Sequence, residues 1–387
     1  MPKTKEKAPS GRQSTGACKS DALDLGKVKS ITENPNLQQE CVSDVQNPHK
    51  EVTEKFQPRK EKSFDLSEVY FRLSADDEEE LAPYWMKKGS RTEECASFLE
   101  WGFEIYADGS KAENAKLHRA NFCKDRLCPM CAWRRSYKIF GQVSQIMELI
   151  GQKYKYLFLT LTVPNCSGEY LSETVDRLNS AFRRLIQYKR LKKVLKGYFR
   201  ALEVTYNKDS DTYHPHFHCI LAVPLSYLTS RDYIQHGEWL SMWQKAYKDE
   251  SIQFVNIQVC KEKYTDEENN ARSYLGSAVA EVTKYAVKDK DYLLPDMEQS
   301  KKVVRTLSLA LENRRLASFS GCFKKAFKDL RLEDAESEEA DLVHIGDKLN
   351  PALSWLIVRY GWSCGVYEMT DSYIETAEYH QQKGKRK

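Results

Sequence analysis

His216 and His218 stand in the run HPHFHCILAV, residues 214–223. A β-strand sends alternate side chains to opposite faces, so Phe217 goes to one face and both imidazoles to the other. Two imidazoles side by side on a rigid strand supply half of a divalent-ion site, although a hydrogen-bonded histidine pair on any sheet shows the same pattern. The neighbouring residues decide between these. YFRALEVTYN (198–207) reads as a second strand, joined to the first through KDSD (208–211). A hairpin with that four-residue loop sets Glu203 opposite His216 on the same face. Its carboxylate completes a His-His-Glu set suited to Mg²⁺ or Mn²⁺. His214 shares the face, and a phosphate contact or a place behind the ligands is its alternative role.

The chain has 11 cysteines, and an odd count does not suggest a disulfide framework in a reducing compartment. Three of them, Cys123, Cys128 and Cys131, fall in NFCKDRLCPMCAWRRS at C-x4-C-x2-C spacing, which suits a tetrahedral zinc site. Cys95, which opens CASFLEWGFEIY, is the candidate fourth ligand, with His118 as the alternative. Arg134 and Arg135 follow the cluster and are candidates for contacts to phosphate.

Lys+Arg 60 against Asp+Glu 56 gives only +4, so net charge does not identify a partner. Acids gather at Asp76–Glu80 and Glu333–Asp341, which leaves the middle of the chain locally basic. Leu171 to Leu195 has apolar residues at helical spacing, with Arg183, Arg184, Lys189 and Arg190 on the outer side as candidate DNA contacts. No stretch approaches the roughly 18 apolar residues of a membrane span. The opening MPKTKEKAPSGRQ has no apolar core of a signal peptide, so the expected location is the cytoplasm.

Four regions are expected. Residues 1–62 are polar, with Phe56 as their only aromatic through residue 60, and read as disordered. Residues 63–150 hold the cysteine cluster as a small zinc-binding module. Residues 151–330 alternate strand, helix, strand, strand, helix, strand, helix, which fits an α+β antiparallel sheet with helices on one face. Residues 331–387 form an acidic linker and an extension whose apolar part, PALSWLIVRYGWSCGVY, either packs on the domain or forms a small unit. Within 271–290, expected to be helical, Glu281 and Tyr285 stand four residues apart with Lys284 and Lys288 beside them. A lysine there can hold phosphate or lower the phenol pKa.

With these residues assembled, the chain resembles the HUH endonucleases, and within them the plasmid rolling-circle replication initiators with one tyrosine and a nearby glutamate. FLTLTVPN (158–165) resembles the first motif of that family, and EVTYNKDSDTYHPHFHCILAV (203–223) the metal motif. AEVTKYAVKDKDYL (280–293) resembles the tyrosine motif, and ENRRLASFSGCFK (312–324) the stretch that follows it. The resemblance implies a ferredoxin-like HUH sheet in a bacterial enzyme that nicks one strand at a plasmid origin. Tyr285 would be the nucleophile, leaving a 5′-phosphotyrosine and a free 3′-OH, and Glu281 would act at termination. It also implies a host replicative helicase and a single-strand-binding protein as partners; a homodimer is a separate expectation. A transposase of the same fold and a zinc-containing DNA-binding regulator without catalysis are the alternatives.

Overall fold

The structure is a computed structural model that describes residues 50–76, 80–260, 278–279, 281–283, 286–345 and 348–376. In chain order it opens with helices α1 (Lys50–Glu54), α2 (Gln57–Asp76) and α3 (Ala82–Glu93). Strands β1 (Phe98–Ile105) and β2 (Lys116–Ala120) lead to helix α4 (Pro129–Ile150) and strand β3 (Lys155–Thr162). Helices α5 (Leu171–Leu185) and α6 (Lys189–Val194) precede the hairpin of β4 (Gly197–Asn207) and β5 (Thr212–Val223). Then come α7 (His236–Tyr247), β6 (Val255–Val259), α8 (Met297–Leu311), β7 (Ala317–Ser320) and α9 (Gly321–Asp329). The hairpin β8 (Ser354–Ser363) and β9 (Val366–Glu375) closes the described chain.

Strands β6-β3-β5-β4-β7 form one antiparallel sheet in that spatial order. Side-chain alternation divides its two faces. Leu159, Leu161, Leu202, Phe217, Cys219 and Leu221 pack against Val175 and Phe182 of α5, Trp239 and Trp243 of α7, and Val304 and Leu307 of α8. On the other face Tyr156, Phe199, Ile220 and Ala222 pack beneath Ile139, Val143 and Ile146 of α4 and Phe323 of α9. Helices therefore cover both faces, where one was expected. The reason is α4, whose helically spaced Ile139, Val143, Ile146 and Ile150 form an apolar stripe that needs a sheet to bury against. Gly321 makes the turn from β7 into α9 possible: its φ is +55°, and a Cβ there would lie 2.1 Å from the Lys196 carbonyl oxygen.

A second antiparallel sheet has the order β2-β1-β8-β9. β8 runs beside β1 without a break in register, from Phe98 opposite Gly361 to Ile105 opposite Ser354. The apolar stretch of the expected C-terminal extension is therefore the centre of the sheet begun in the cysteine-bearing module. Between the sheets, residues 333–343 lie along α4 as a strap. Lys138 Nζ contacts Glu333 at 2.5 Å and donates to the Asp341 carbonyl at 2.7 Å, while Gln142 donates to the Glu333 carbonyl at 2.6 Å. The acidic run is thus docked chain and no linker.

The start of order also differs from expectation. Residues 1–49 lie outside the described residues, but Lys50–Asp76 is helical apart from a short break, and Phe56 is buried edge-on between Trp101 and Trp133. The boundaries expected at 62/63 and 330/331 do not coincide with breaks in packing, because α2 and the strap each bury side chains across them.

Candidate active site and cysteine cluster

The β4–β5 hairpin turns through residues 208–211 and sets Glu203 opposite His216. His218 Nε2 lies 3.0 Å from Glu203 Oε2, His216 Nε2 lies 3.5 Å from the same oxygen, and the two Nε2 atoms are 3.2 Å apart. The three side chains are 7–12% exposed. Cis ligands of an octahedral ion at ~2.1 Å stand about 3.0 Å apart, so these three atoms fit one triangular face of such a shell.

The atoms behind the triad fix its electron pairs. His216 Nδ1 is 3.1 Å from the His214 carbonyl oxygen. A carbonyl only accepts, so in the neutral ring the proton sits on Nδ1 and Nε2 presents its lone pair. His218 Nδ1 is 3.2 Å from Thr160 Oγ1, which stands opposite it on β3 and can accept the same kind of bond. Lys288 Nζ holds the other carboxylate oxygen, Glu203 Oε1, at 2.9 Å. Burial opposes charge on Glu203, yet hydrogen bonds with His216, His218 and Lys288 outweigh it and hold the carboxyl well below the usual range. The bond to Glu203 is also the largest influence raising Lys288. Lys288, expected to meet phosphate or the phenol, contacts the Glu203 carboxylate. His214 does not join the triad: its Nδ1 pairs with Asn165 Oδ1 at 2.8 Å.

Lys284 and Tyr285 lie outside the described residues. Of the described residues beside them, Val279 and Val282 lie on the triad's face of the sheet, whereas Ala286 and Val287 pack with the cluster that holds Phe217. Ala278, Val279, Glu281 and Val282 are helical, whereas 286–288 are not, so the helix expected to continue to 290 stops short. Val279 and Val282 pack with Ile220 and Phe199. The Ala286 carbonyl accepts from Val204 N at 2.7 Å, one residue from Glu203. Glu281 is near enough to contribute to the field at Lys288. Tyr292, a nearby tyrosine, is buried and donates its hydroxyl to the Leu127 carbonyl.

Cys95, Cys123, Cys128 and Cys131 come together, all four sulfurs within 4.8 Å of one another. Measured edges are 3.5 Å for Cys95–Cys131, 3.6 Å for Cys123–Cys131 and 3.6 Å for Cys95–Cys128. Zn–S bonds of about 2.3 Å require sulfurs about 3.8 Å apart in a tetrahedron, close to this arrangement. Lys124 N donates to Cys131 Sγ at 3.1 Å and Cys123 N to Cys95 Sγ at 3.4 Å. His118 is elsewhere, 3.8 Å from Glu375. Two further neighbours lie in the region expected to be disordered or at its edge. Lys60 is 1% exposed; burial lowers it, and the charges of Cys95, Cys128 and Cys123 pull the other way. Ser63 Oγ is 3.3 Å from Cys128 Sγ.

The candidate DNA contacts separate from the triad. Arg134 is 7% exposed and donates to the Leu342 and Val343 carbonyls at 2.8 and 2.6 Å; Arg135 donates to the Ala335 and Lys124 carbonyls, each at 3.2 Å. These guanidiniums hold the strap. Arg134→Ala is expected to lower the melting temperature, because two buried carbonyls lose a charged donor, at about 1–3 kcal/mol each. The salt slope of DNA binding should stay unchanged; a slope reduced by a unit would restore a phosphate contact. Arg184 donates to the Ala246 carbonyl at 2.7 Å, and Arg190 pairs with Glu238 at 2.8 Å, so both tie α5 and α6 to α7. Arg183 and Lys189 are exposed. All four lie on the Phe217 face of the sheet, opposite His216 and His218.

A family described as replication protein matches residues 114–363, a span with the triad, three of the clustered cysteines and all of the five-stranded sheet. The chain belongs to this replication protein family. Among its relatives, Protein rep of Bacillus sp is 40% identical over 304 residues, 76% of this chain and 96% of the relative. Protein rep of Bacillus amyloliquefaciens is 39% identical over 277 residues, 69% and 79% of the two chains. Protein rep of Streptococcus pneumoniae serotype 2 is 37% identical over 262 residues, 66% and 76%. No solved structure matches. Membership makes the chain a plasmid replication initiator. Among the described residues no helix is long and apolar enough to cross a membrane.

Proposed function

We propose that this replication initiator is an HUH endonuclease with a ferredoxin-like core that nicks one strand of its plasmid origin through Tyr285. The observation that carries the reading is the convergence of Glu203 Oε2, His216 Nε2 and His218 Nε2 within 3.0–3.5 Å on one sheet face. Three electron-pair donors so arranged suit a divalent cation such as Mg²⁺ or Mn²⁺, and a DNA-binding regulator has no need of them. When bound, the ion supplies charge that polarises the scissile phosphate. The Tyr285 hydroxyl oxygen attacks phosphorus and forms the P–O bond of a 5′-phosphotyrosine. The P–O3′ bond breaks, and its oxygen takes a proton and leaves as the 3′-OH primer. Glu281 is suited to the second cut, as a base that takes a proton from water. Host helicase and single-strand-binding protein act on the product by family resemblance, and a homodimer belongs to the same reading.

The test is supercoiled plasmid carrying the cognate origin, followed by mass spectrometry of the digested protein. A nicked circle and a nucleotide adduct on the peptide with Tyr285 are expected. An adduct on Tyr274 in its place would overturn the assignment, as would the absence of nicking.

The cysteine cluster we read as structural zinc, because four thiolates leave no coordination position open to water. Freshly purified protein should carry about one zinc per chain, removable only with loss of fold. Cys128→Ser should lower folding yield and melting temperature before it alters the rate of nicking by the folded fraction. Elemental analysis without zinc would sink this reading.

A further inference from the structure

We propose that Phe254, Asn256 and Gln258 form a reading strip for the bases beside the scissile phosphate, with Phe254 as the ring on which one base stacks. The proposal rests on the nicking reading above and deepens it by naming the side chains that hold the single strand.

Side-chain alternation supplies the first argument. Val255 is fully buried and stands opposite Leu161 on the α5 and α7 side of the sheet. Phe254, Asn256 and Gln258 therefore face the other way, onto the face that carries the triad. Register supplies the second. Thr160 pairs with His218 on one side and with Asn256 on the other, so His218, Thr160 and Asn256 form one row across three strands. In the next row Glu203, His216 and Thr162 are in line, and Thr162 Oγ1 donates to the Phe254 carbonyl at 3.2 Å. With strands about 4.8 Å apart, the Phe254 backbone lies about 10 Å from that of His216. A base next to the phosphate held at the triad falls within that reach.

The chemistry of the strip fits a nucleobase. Phe254 is 57% exposed, although its backbone is pinned by Thr162 and by His236 Nε2, which lies 2.7 Å from the next carbonyl, Val255 O. A rigidly mounted, solvent-facing ring is a stacking platform with little ordering cost on binding. Gln258 Nε2 donates to Asn256 Oδ1 at 3.2 Å, which among the described residues leaves the Asn256 amide hydrogens and the Gln258 carbonyl oxygen to meet a base edge. No acidic side chain belongs to the strip to repel a phosphate backbone. Among the described residues β6 is also the outermost strand of its sheet, so a single strand can leave across that edge.

The experiment measures the affinity of the full chain for a single-stranded oligonucleotide spanning the nick site, in EDTA so that nothing is cut. Phe254→Ala and Phe254→Leu should bind about tenfold more weakly, the scale of one lost base stack. Phe254→Trp should bind at least as well as the wild type. The salt slope should be the same in all of them, because no phosphate contact is removed. Affinity for the duplex origin and the melting temperature should not change. A Leu variant that binds the strand as the wild type does overturns the platform and leaves the nicking reading intact. A wild type without measurable single-strand affinity overturns both.

Discussion

Tyr285→Phe should abolish nicking and leave origin binding intact. The substitution removes one oxygen, the atom that would bond to phosphorus, and keeps the ring. Loss of a covalent nucleophile costs on the order of 10⁶ in turnover in well-studied cases. The described neighbours argue that the loss stays local: Val282 is held in the core beneath α4, the Ala286 carbonyl by Val204, and Lys288 by Glu203. Gel measurement of nicked circles and a binding assay on the same preparations check both halves. Substantial residual nicking would show that another group attacks.

The second large effect concerns the triad. His216→Ala and His218→Ala should each remove metal-dependent cleavage, and EDTA should do the same to the wild type until Mg²⁺ or Mn²⁺ is restored. Glu203→Gln should raise the metal concentration needed for half activity, since an amide oxygen is a weaker donor to a hard cation than a carboxylate. It also replaces the charged partner that Lys288 contacts at 2.9 Å with a neutral amide. Lys288→Met should then weaken metal binding less than Glu203→Gln does, because it removes only the hold on Oε1. Cleavage undiminished in excess chelator would remove the metal from the reading.

The triad was legible because two local rules sufficed. Alternation put His216 and His218 on one face, and a four-residue loop fixed Glu203 opposite His216. Cys95 was legible from its place at the head of the preceding strand. What was not legible depends on partners far away in sequence. Arg134 and Arg135 read as phosphate contacts, yet they and the neighbouring Lys138 and Gln142 find partners among the carbonyls and acids of residues 333–343. The buried side of α2 carries Lys60, Ser63, Ser67 and Tyr70 among its contacts, so apolar periodicity is nearly silent there. Lys60 is held inside by the Glu93 carbonyl and Ser63 by the Arg59 carbonyl and the Cys128 sulfur, partners that periodicity does not announce. Phe254 was hidden for another reason: alternation in FVNIQVC separates the two faces of the strand, and the register with β3 shows that Asn256 shares its row with His218.

The pairing of β1 with β8 has a consequence for how the protein is made. The ribosome delivers residues 98–120 long before residues 354–363, and until then β1 has β2 alone as a strand partner. A two-stranded hairpin is marginal in water, and closing so long a loop is slow. The nascent chain can thus display its cysteines and its β4–β5 hairpin while one sheet still waits for its central strand. A message broken before codon 354 would yield a protein with the Glu203, His216 and His218 triad and an open, aggregation-prone sheet edge. Completion of translation is thereby built into the fold as a condition for a stable initiator.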